Sequence, residues 1–352
     1  MTRCVAGGSL VGLRATAAAV ALVGALTSAG QSRAGELVVY SSIDPEEVAV
    51  YREGFKKSHP DIDLQIQRSS TGTTTARIIA EKDNPKHDVI FRLANTSLIQ
   101  FSQMGVLYPY KPIGVEKLDP RFTDHRNDPP HWVGHDAYMA AICYNTVEAK
   151  KLGLPKPTSW QDFINPIYRN QLAAPNPKAS GTGFINLATF WHLWGEDKAF
   201  AYMDQLNENM KFYLNSGSAP CVKAGSGEVP IAMSWDYRAT KLINEGAPIE
   251  FLVMKEGMGW DLEGSAIMKA AETRGRLADA KTFIDWTISD DAMRLYNKTF
   301  AIIGRPDLAQ AEKGRVANPM EVVVDYDFEK IAENRNRLIE KWISRYEGKV
   351  QN

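Results

Sequence analysis

Apolar and polar positions fall into two regimes along the chain. Residues 15–26 read ATAAAVALVGAL, an unbroken apolar run preceded by Arg3 and Arg14 and by no acid. That length suits the core of a signal peptide and is short for a membrane-spanning helix. Ser32-Arg33-Ala34 then offers small residues for cleavage after Ala34, so residues 1–34 read as an export signal.

From Leu37 the pattern changes to short apolar runs alternating with helical spacing. Leu37–Tyr40 reads as a strand. Pro45, Glu46 and Glu47 suit the start of a helix, Val48, Tyr51 and Phe55 share one face, and Lys56 and Lys57 suit its end. Ile62, Leu64 and Ile66 alternate as a strand, 73–81 reads as a helix and 88–91 as a strand. The second part repeats the texture. It has strands at 138–144, 231–234, 249–253 and 266–269, and helices at 160–163, 184–194, 198–207, 237–245, 277–289 and 290–298. A charged amphipathic helix follows at 327–346, and stretches 111–136 and 304–319 read as irregular. Such alternation predicts an α/β chain with parallel sheets covered by helices.

Composition narrows the class. The 352 residues carry 41 basic and 42 acidic side chains, a balance that argues against nucleic acid as a partner. The signal holds three arginines and no acid, so the exported chain has 38 basic and 42 acidic residues. It also keeps two of the three cysteines, Cys143 and Cys221, which are either bridged in an oxidising compartment or two buried thiols. No elbow, zinc or nucleotide-loop motif marks an enzyme. A secreted α/β hydrolase is the remote alternative, and no cofactor is implied. His131 and His135 stand four apart, but Pro129, Pro130 and Gly134 keep them off a helix, so no metal site is expected.

The recurring chemical feature is a hydroxyl- and glycine-rich turn between a strand and a helix. Ser41-Ser42, Ser69-Ser70-Thr71-Gly72-Thr73-Thr74, Asn95-Thr96-Ser97, Ser180-Gly181-Thr182-Gly183 and Ser216-Gly217-Ser218 are all of this kind. Helix starts expose unpaired N–H groups, and hydroxyls add donors, so the set predicts an oxyanion site at the strand ends. A second constellation is acidic and aromatic: Trp235-Asp236-Tyr237-Arg238 and Gly257-Met258-Gly259-Trp260-Asp261-Leu262-Glu263-Gly264. It suits a small cation such as an ammonium group, or a salt-bridge network around core aromatics.

Several segments carry a resemblance. FKKSHPDIDLQIQRSSTGTTTARIIAEKDNPKHDVIF resembles the first lobe of family 1 extracellular solute-binding proteins of ABC importers. SGTGFINLATFWHLWGEDKAFAYMDQL, NSGSAPCVKAGSGEVPIAMSWDYRA and EGMGWDLEGSAIMK resemble its 2-aminoethylphosphonate-binding branch. The resemblance implies a type II periplasmic-binding-protein fold, with two α/β lobes joined by two crossing strands near 138–143 and 259–267. Lobe one would be 36–137 plus 264–316, lobe two 138–263, and 317–352 a C-terminal helix packing on lobe two. It also implies a Cys143–Cys221 bridge. Related ferric-binding proteins use adjacent tyrosines, but here Tyr237 is followed by Arg238, so iron lacks a ligand.

On this resemblance the protein is a monomeric periplasmic carrier that binds a small-molecule solute and meets a membrane permease. For 2-aminoethylphosphonate, Thr71, Gly72, Thr73, Ser180, Gly181, Thr182, Ser216 and Ser218 would hold the phosphonate. Asp236 and Asp261 would receive the ammonium between Tyr237 and Trp260. Arg92 would add positive charge, and Ser41, Ser42 and Asn95 would complete the set. Departures from the branch at Arg68-Ser69-Ser70-Thr71-Gly72, Phe91–Asn95, Gly134-His135-Asp136 and Asp236 bear on the ligand more than on the fold. A di- or tricarboxylate, a phosphate ester or ferric iron are the alternatives.

Overall fold

The structure, a computed structural model, describes residues 35–298, 302–310, 315–325 and 327–351. The expected signal segment, 1–34, lies outside the described residues. The first stretch runs β1 (Glu36–Ser41), α1 (Glu47–Ser58), β2 (Asp63–Arg68), α2 (Thr71–Ala80), β3 (Val89–Ala94), α3 (Asn95–Gln103) and β4 (Leu107–Tyr108). Then come β5 (Val133–Asn145), α4 (Thr146–Leu152), β6 (Leu172–Pro175), α5 (Gly181–Trp194), α6 (Glu196–Asn209), β7 (Met210–Leu214), α7 (Ala219–Gly225) and β8 (Ile231–Trp235). The chain continues through α8 (Asp236–Asn244), β9 (Ile249–Leu252), β10 (Trp260–Met268), α9 (Ala270–Thr273), α10 (Leu277–Thr287) and α11 (Asp290–Lys298). It closes with β11 (Ile302–Ile303), α12 (Phe328–Tyr346) and β12 (Val350–Gln351).

Two parallel sheets result, β2-β1-β3 and β7-β6-β8, and the strands β10 and β5 lie between them. Two segments cross from one lobe to the other. The start of β5 pairs with β10 and β11, and its end pairs with β8 and β9. The start of β10 pairs with β5, and its later residues pair with β3. Both strands are buried along their whole length, as expected for sheet centres covered on both faces. The irregular stretch expected to reach residue 136 ends earlier. His135 and Asp136 already belong to β5, where a polar pair sits inside an otherwise apolar strand.

The first lobe packs Phe55, Phe283 and Trp286 as an edge-to-face group. The second packs Phe190 against Trp160 and Tyr202. Cys143 of β5 is bonded to Cys221 of α7, with Cα atoms 5.6 Å apart. The last helix differs from expectation. Asp327 caps α12 by accepting from Glu329 and Lys330 N–H groups. The start of the helix lies toward the first lobe, where Glu329 meets Arg126 at 3.2 Å and α12 packs on α3. Its end lies on the second lobe, where Trp342 meets the Tyr213 ring at 4.9 Å and the Tyr346 hydroxyl donates to Asp204 at 2.7 Å. The apolar stripe from Ile331 to Tyr346 is simply too long for one lobe to cover.

Candidate functional site

The strand ends of both lobes face one narrow cleft, with about 40 Å³ of free space between them. Ser42 and Asp44 follow β1, while Arg68 ends β2 and Ser70 and Thr71 lead into α2. The second lobe contributes the start of α5 and the Ser216–Ser218 turn after β7, and Trp235 ends β8. Tyr138 and Glu263 rise from the two crossing strands.

Two glycines mark where donors converge. A Cβ on Gly181 would stand 2.9 Å from both the Thr71 Oγ1 and the Tyr138 hydroxyl. A Cβ on Gly217 would stand 2.6 Å from the Thr182 Oγ1 and 3.1 Å from the Ser180 Oγ. Hydroxyls from both lobes thus meet at the N-termini of α2 and α5, where exposed N–H groups and the helix dipole favour an anion. Among the described residues the Thr71 and Thr182 hydroxyls have no protein partner, so each can serve a ligand. Arg68 spends its Nε on the Ile43 carbonyl, at 2.9 Å, and leaves the far end of its guanidinium at the cleft mouth.

Other hydroxyls of the expected set already have a protein partner, although Ser180 and Ser216 only accept and keep an O–H to donate. Ser42 donates to the Arg92 carbonyl at 2.7 Å. Ser41 is fully buried, and its Oγ accepts from the Ile43 N–H at 3.3 Å. Ser180 caps α5 by accepting from the Gly183 N–H. Ser216 accepts from the Ser218 and Ala219 N–H groups. Ser218 donates to Asp44 at 2.7 Å and accepts from the Trp235 indole at 2.8 Å.

Helix phase explains two placements outside the cleft. α2 begins at Thr71, so Thr73 points to solvent. Gly72 lies against the other lobe. Its N–H donates to the Ala179 carbonyl at 2.9 Å, and a Cβ there would fall 2.1 Å from the Lys178 carbonyl oxygen. The close approach requires glycine.

Of the acidic and aromatic constellation, Trp235 and Glu263 line the cleft, and the four residues expected to surround an ammonium group do not. Asp236 is buried at the start of α8 and accepts from the Met139 N–H at 3.2 Å; burial pushes its carboxyl up to about 6, against an opposing pull from Arg315. Asp261 accepts from Thr96, Oγ1 at 2.8 Å, and burial pushes it up to about 7. Trp260 donates to the Val324 carbonyl at 2.8 Å and packs on Phe328. Tyr237 is buried beside Glu46, 3.4 Å from its hydroxyl. Asn95 is buried at the start of α3. Arg92 sits beneath the cleft, fully enclosed, bound to Glu47 at 2.7 Å, Asp136 at 2.5 Å and Glu263 at 2.6 Å. The carboxylates that do reach the cleft are Asp44 and Glu263, and each already has an arginine partner.

The ligand set read from the sequence left out Asp44, Arg68 and Tyr138, and Trp235 and Glu263 entered only as members of the acidic and aromatic constellation. Polar Glu263 in a wholly buried strand was a usable signal, since such a residue needs a partner or a ligand. Among the described residues no group of His, Cys, Asp or Glu side chains is arranged to hold a metal ion.

Two lobes joined by crossing strands, with an anion-suited cleft between them, define a type II periplasmic-binding fold. The family model for bacterial extracellular solute-binding proteins matches residues 84–334, and the chain belongs to that family. It is 31% identical to an uncharacterised protein of Haemophilus influenzae over 92% of this chain and 94% of the relative. It is 24% identical to the protein named Probable ABC transporter periplasmic-binding protein y4fP of Sinorhizobium fredii, over 76% of this chain and 73% of the relative. Among solved structures it is similar to the periplasmic binding protein AfuA of Actinobacillus pleuropneumoniae with fructose-6-phosphate bound. The TM-score is 0.82 at 29% identity, covering 89% of this chain and 98% of AfuA. Its role is that of the substrate-binding component of an ABC transporter.

Proposed function

We propose that the protein, exported to the periplasm with its signal cleaved after Ala34, captures a small phosphate ester in the interlobe cleft and hands it to a membrane permease. The observation that carries this reading is the convergence of Thr71, Tyr138, Ser180 and Thr182 on Gly181 and Gly217, with Arg68 at the mouth. Three tetrahedral oxygens need several donors from different directions, and two facing helix starts with hydroxyls supply them. The likeness to AfuA, whose structure holds fructose-6-phosphate, supports the same ligand chemistry.

The part of the ligand beyond the phosphorus meets Asp44 and Glu263. Both carboxyls are tied to arginines, so they suit a hydroxylated carbon chain better than a bare ammonium group. 2-Aminoethylphosphonate is the second reading, favoured by the same oxyanion donors and by Asp44 near the mouth. Closure of the lobes around the ligand would dehydrate it and bias the two-state hinge. The carrier performs no covalent step and acts as a monomer.

Thermal-shift titration of residues 35–352 tests the assignment. Fructose 6-phosphate, 2-aminoethylphosphonate, inorganic phosphate and citrate form the panel. A ligand at about 100 times its dissociation constant adds roughly 2.7 kcal/mol to stability. A clear shift with citrate, alongside none with any phosphorus compound, would sink the phosphate-ester reading.

A further inference from the structure

The middle of α12 carries a charge that its surroundings do not match. Arg337 and Lys341 pair with Glu196, and Arg345 pairs with Asp204, all in partly exposed ion pairs. Arg335 turns inward instead and is 2% exposed. Its guanidinium lies over the Phe184 ring, 4.1 Å from the centroid. Among the described residues it joins no ion pair, and its Nη1 is enclosed with no hydrogen-bond partner. Buried charges are normally paired, and an unmatched one is costly. A single cation–π contact recovers only part of that cost.

What stands in front of this charge is the cleft wall. Phe184 belongs to the first turn of α5, and the start of α5 lines the cleft. Tyr138 of β5 lines it too, with its hydroxyl beside Gly181 at the same helix start. Asp261 of β10 is the register partner of Tyr138, so both side chains leave one face of the crossing strands. Tyr138 and then Asp261 are the groups that favour the charged form of Arg335. The guanidinium thus lies behind Tyr138, with the cleft on the other side.

Neither neighbour cancels the charge. Asp261 accepts from the Thr96 hydroxyl and the Leu262 N–H, and burial pushes its carboxyl up to about 7, so near neutrality much of it is protonated. Burial brings Arg335 down only to about 10, so it stays cationic. The cleft needs such a charge. Its two carboxylates, Asp44 and Glu263, are each held by an arginine, and Arg68 is exposed at the mouth. A guanidinium has donors and no acceptor. A phenol in front of it keeps its lone pairs toward the guanidinium and its proton toward the cleft.

Resting on the phosphate-ester reading, we propose that Arg335 is a positioning residue for the anion: from behind, it turns the Tyr138 hydroxyl into a donor aimed at the phosphate group and supplies buried positive charge to it. The last helix, which touches no solute, thereby takes part in recognition.

The test is calorimetric titration of the exported chain with fructose 6-phosphate at pH 8, above the second ionisation of a phosphate monoester near pH 6. Arg335→Met keeps a stem over Phe184 and removes the charge. Affinity should fall at least about tenfold, while the ligand-free variant melts at or above the wild-type temperature, because an unmatched buried charge has gone. Arg335→Lys should bind within about fivefold of wild type. In a Tyr138→Phe background, Arg335→Met should cost no more than about threefold. Three results would overturn the proposal: Arg335→Met binding within about threefold of wild type, a loss that comes with a ligand-free melting temperature several degrees lower, or the full tenfold loss persisting in Tyr138→Phe. If Arg335→Met does not fold, Arg335→Lys and Tyr138→Phe decide. The second should then bind at least about tenfold more weakly than wild type, and either variant departing from its expected affinity overturns the proposal. Failure of the wild-type chain to bind any phosphorus compound would instead remove the reading on which the proposal rests.

Discussion

The Arg238 guanidinium of the second lobe meets the Asp44 carboxylate of the first at 2.6 Å, across the cleft. The same guanidinium reaches Glu46 at 2.7 Å, and Lys241 joins Glu46 at 2.7 Å. Burial would raise the Glu46 carboxyl, yet Lys241 and Arg238 outweigh it and bring it down to about 2. These pairs exist only while the lobes touch, so they stabilise the closed state.

Arg238→Met should therefore weaken ligand binding through closure. For a partly exposed charge network about 1 kcal/mol is at stake, or roughly fivefold in affinity. Wild-type affinity should also fall between low and high salt, and the variant should lose most of that dependence. Scattering at both salt concentrations would report the lobe opening. Unchanged affinity and compactness in Arg238→Met would show that closure does not use this network.

Gly181→Ala places a methyl group where the Thr71 and Tyr138 hydroxyls meet. The expected outcome is at least a tenfold loss of phosphate-ester affinity with a melting temperature within a few degrees of wild type. Thr71→Val and Thr182→Val each remove one uncommitted donor, at a cost of about 1–2 kcal/mol in binding. Calorimetric titration of the three variants separates blocked space from lost donors.

Asp261 gives stability a pH slope of definite sign. Its folded-state value is about 7 against an ordinary 3.8, raised by burial. Below about pH 4 folded and unfolded states both hold the proton, and the full stability is present. Between about pH 4 and 7 the unfolded chain releases a proton that the folded chain retains, so stability falls as pH rises. Above about pH 7 the loss is complete, on the order of 2–4 kcal/mol. Asp261→Asn should flatten this part of the profile in urea unfolding. A parallel slope in the variant would assign the effect elsewhere.

The Cys143–Cys221 bond closes a loop with a sequence separation of 78. Chain-entropy reasoning assigns such a loop about 4 kcal/mol. Reduction, or Cys221→Ser, should lower the melting temperature while leaving the dissociation constant of a bound phosphate ester within a few-fold. A large affinity loss at low temperature would mean that the bond positions the Ser216–Ser218 turn instead.

The fold was legible because alternation of short apolar runs and helical spacing is a local property, and each β–α pair prints it separately. β6 and β7 escaped because Leu172–Pro175 ends on a proline and Met210–Leu214 follows α6 with no residue between them to mark a break. In the cleft, the hydroxyl turns were readable as a class, since glycine and serine have few other reasons to cluster before helices. Individual roles were not, because they depend on helix phase: a start at Thr71 turns Thr73 outward. The acids were misplaced for a different reason. Asp236 and Asp261 are taken up by Met139 and Thr96, partners far away in sequence, whereas Asp44 and Glu263 reach the cleft through turns and strand register.

The long last helix has a mechanical meaning. At 19 residues α12 extends about 28 Å, and its two ends are seated on different lobes. A rod fastened at both ends acts as a third tie beside β5 and β10. Opening must then release one seat or carry the rod with it, so the permitted swing is set partly by Trp342 and Glu329, far from any bound solute. Residues near the C-terminus thereby become a control point for how readily the carrier surrenders its cargo.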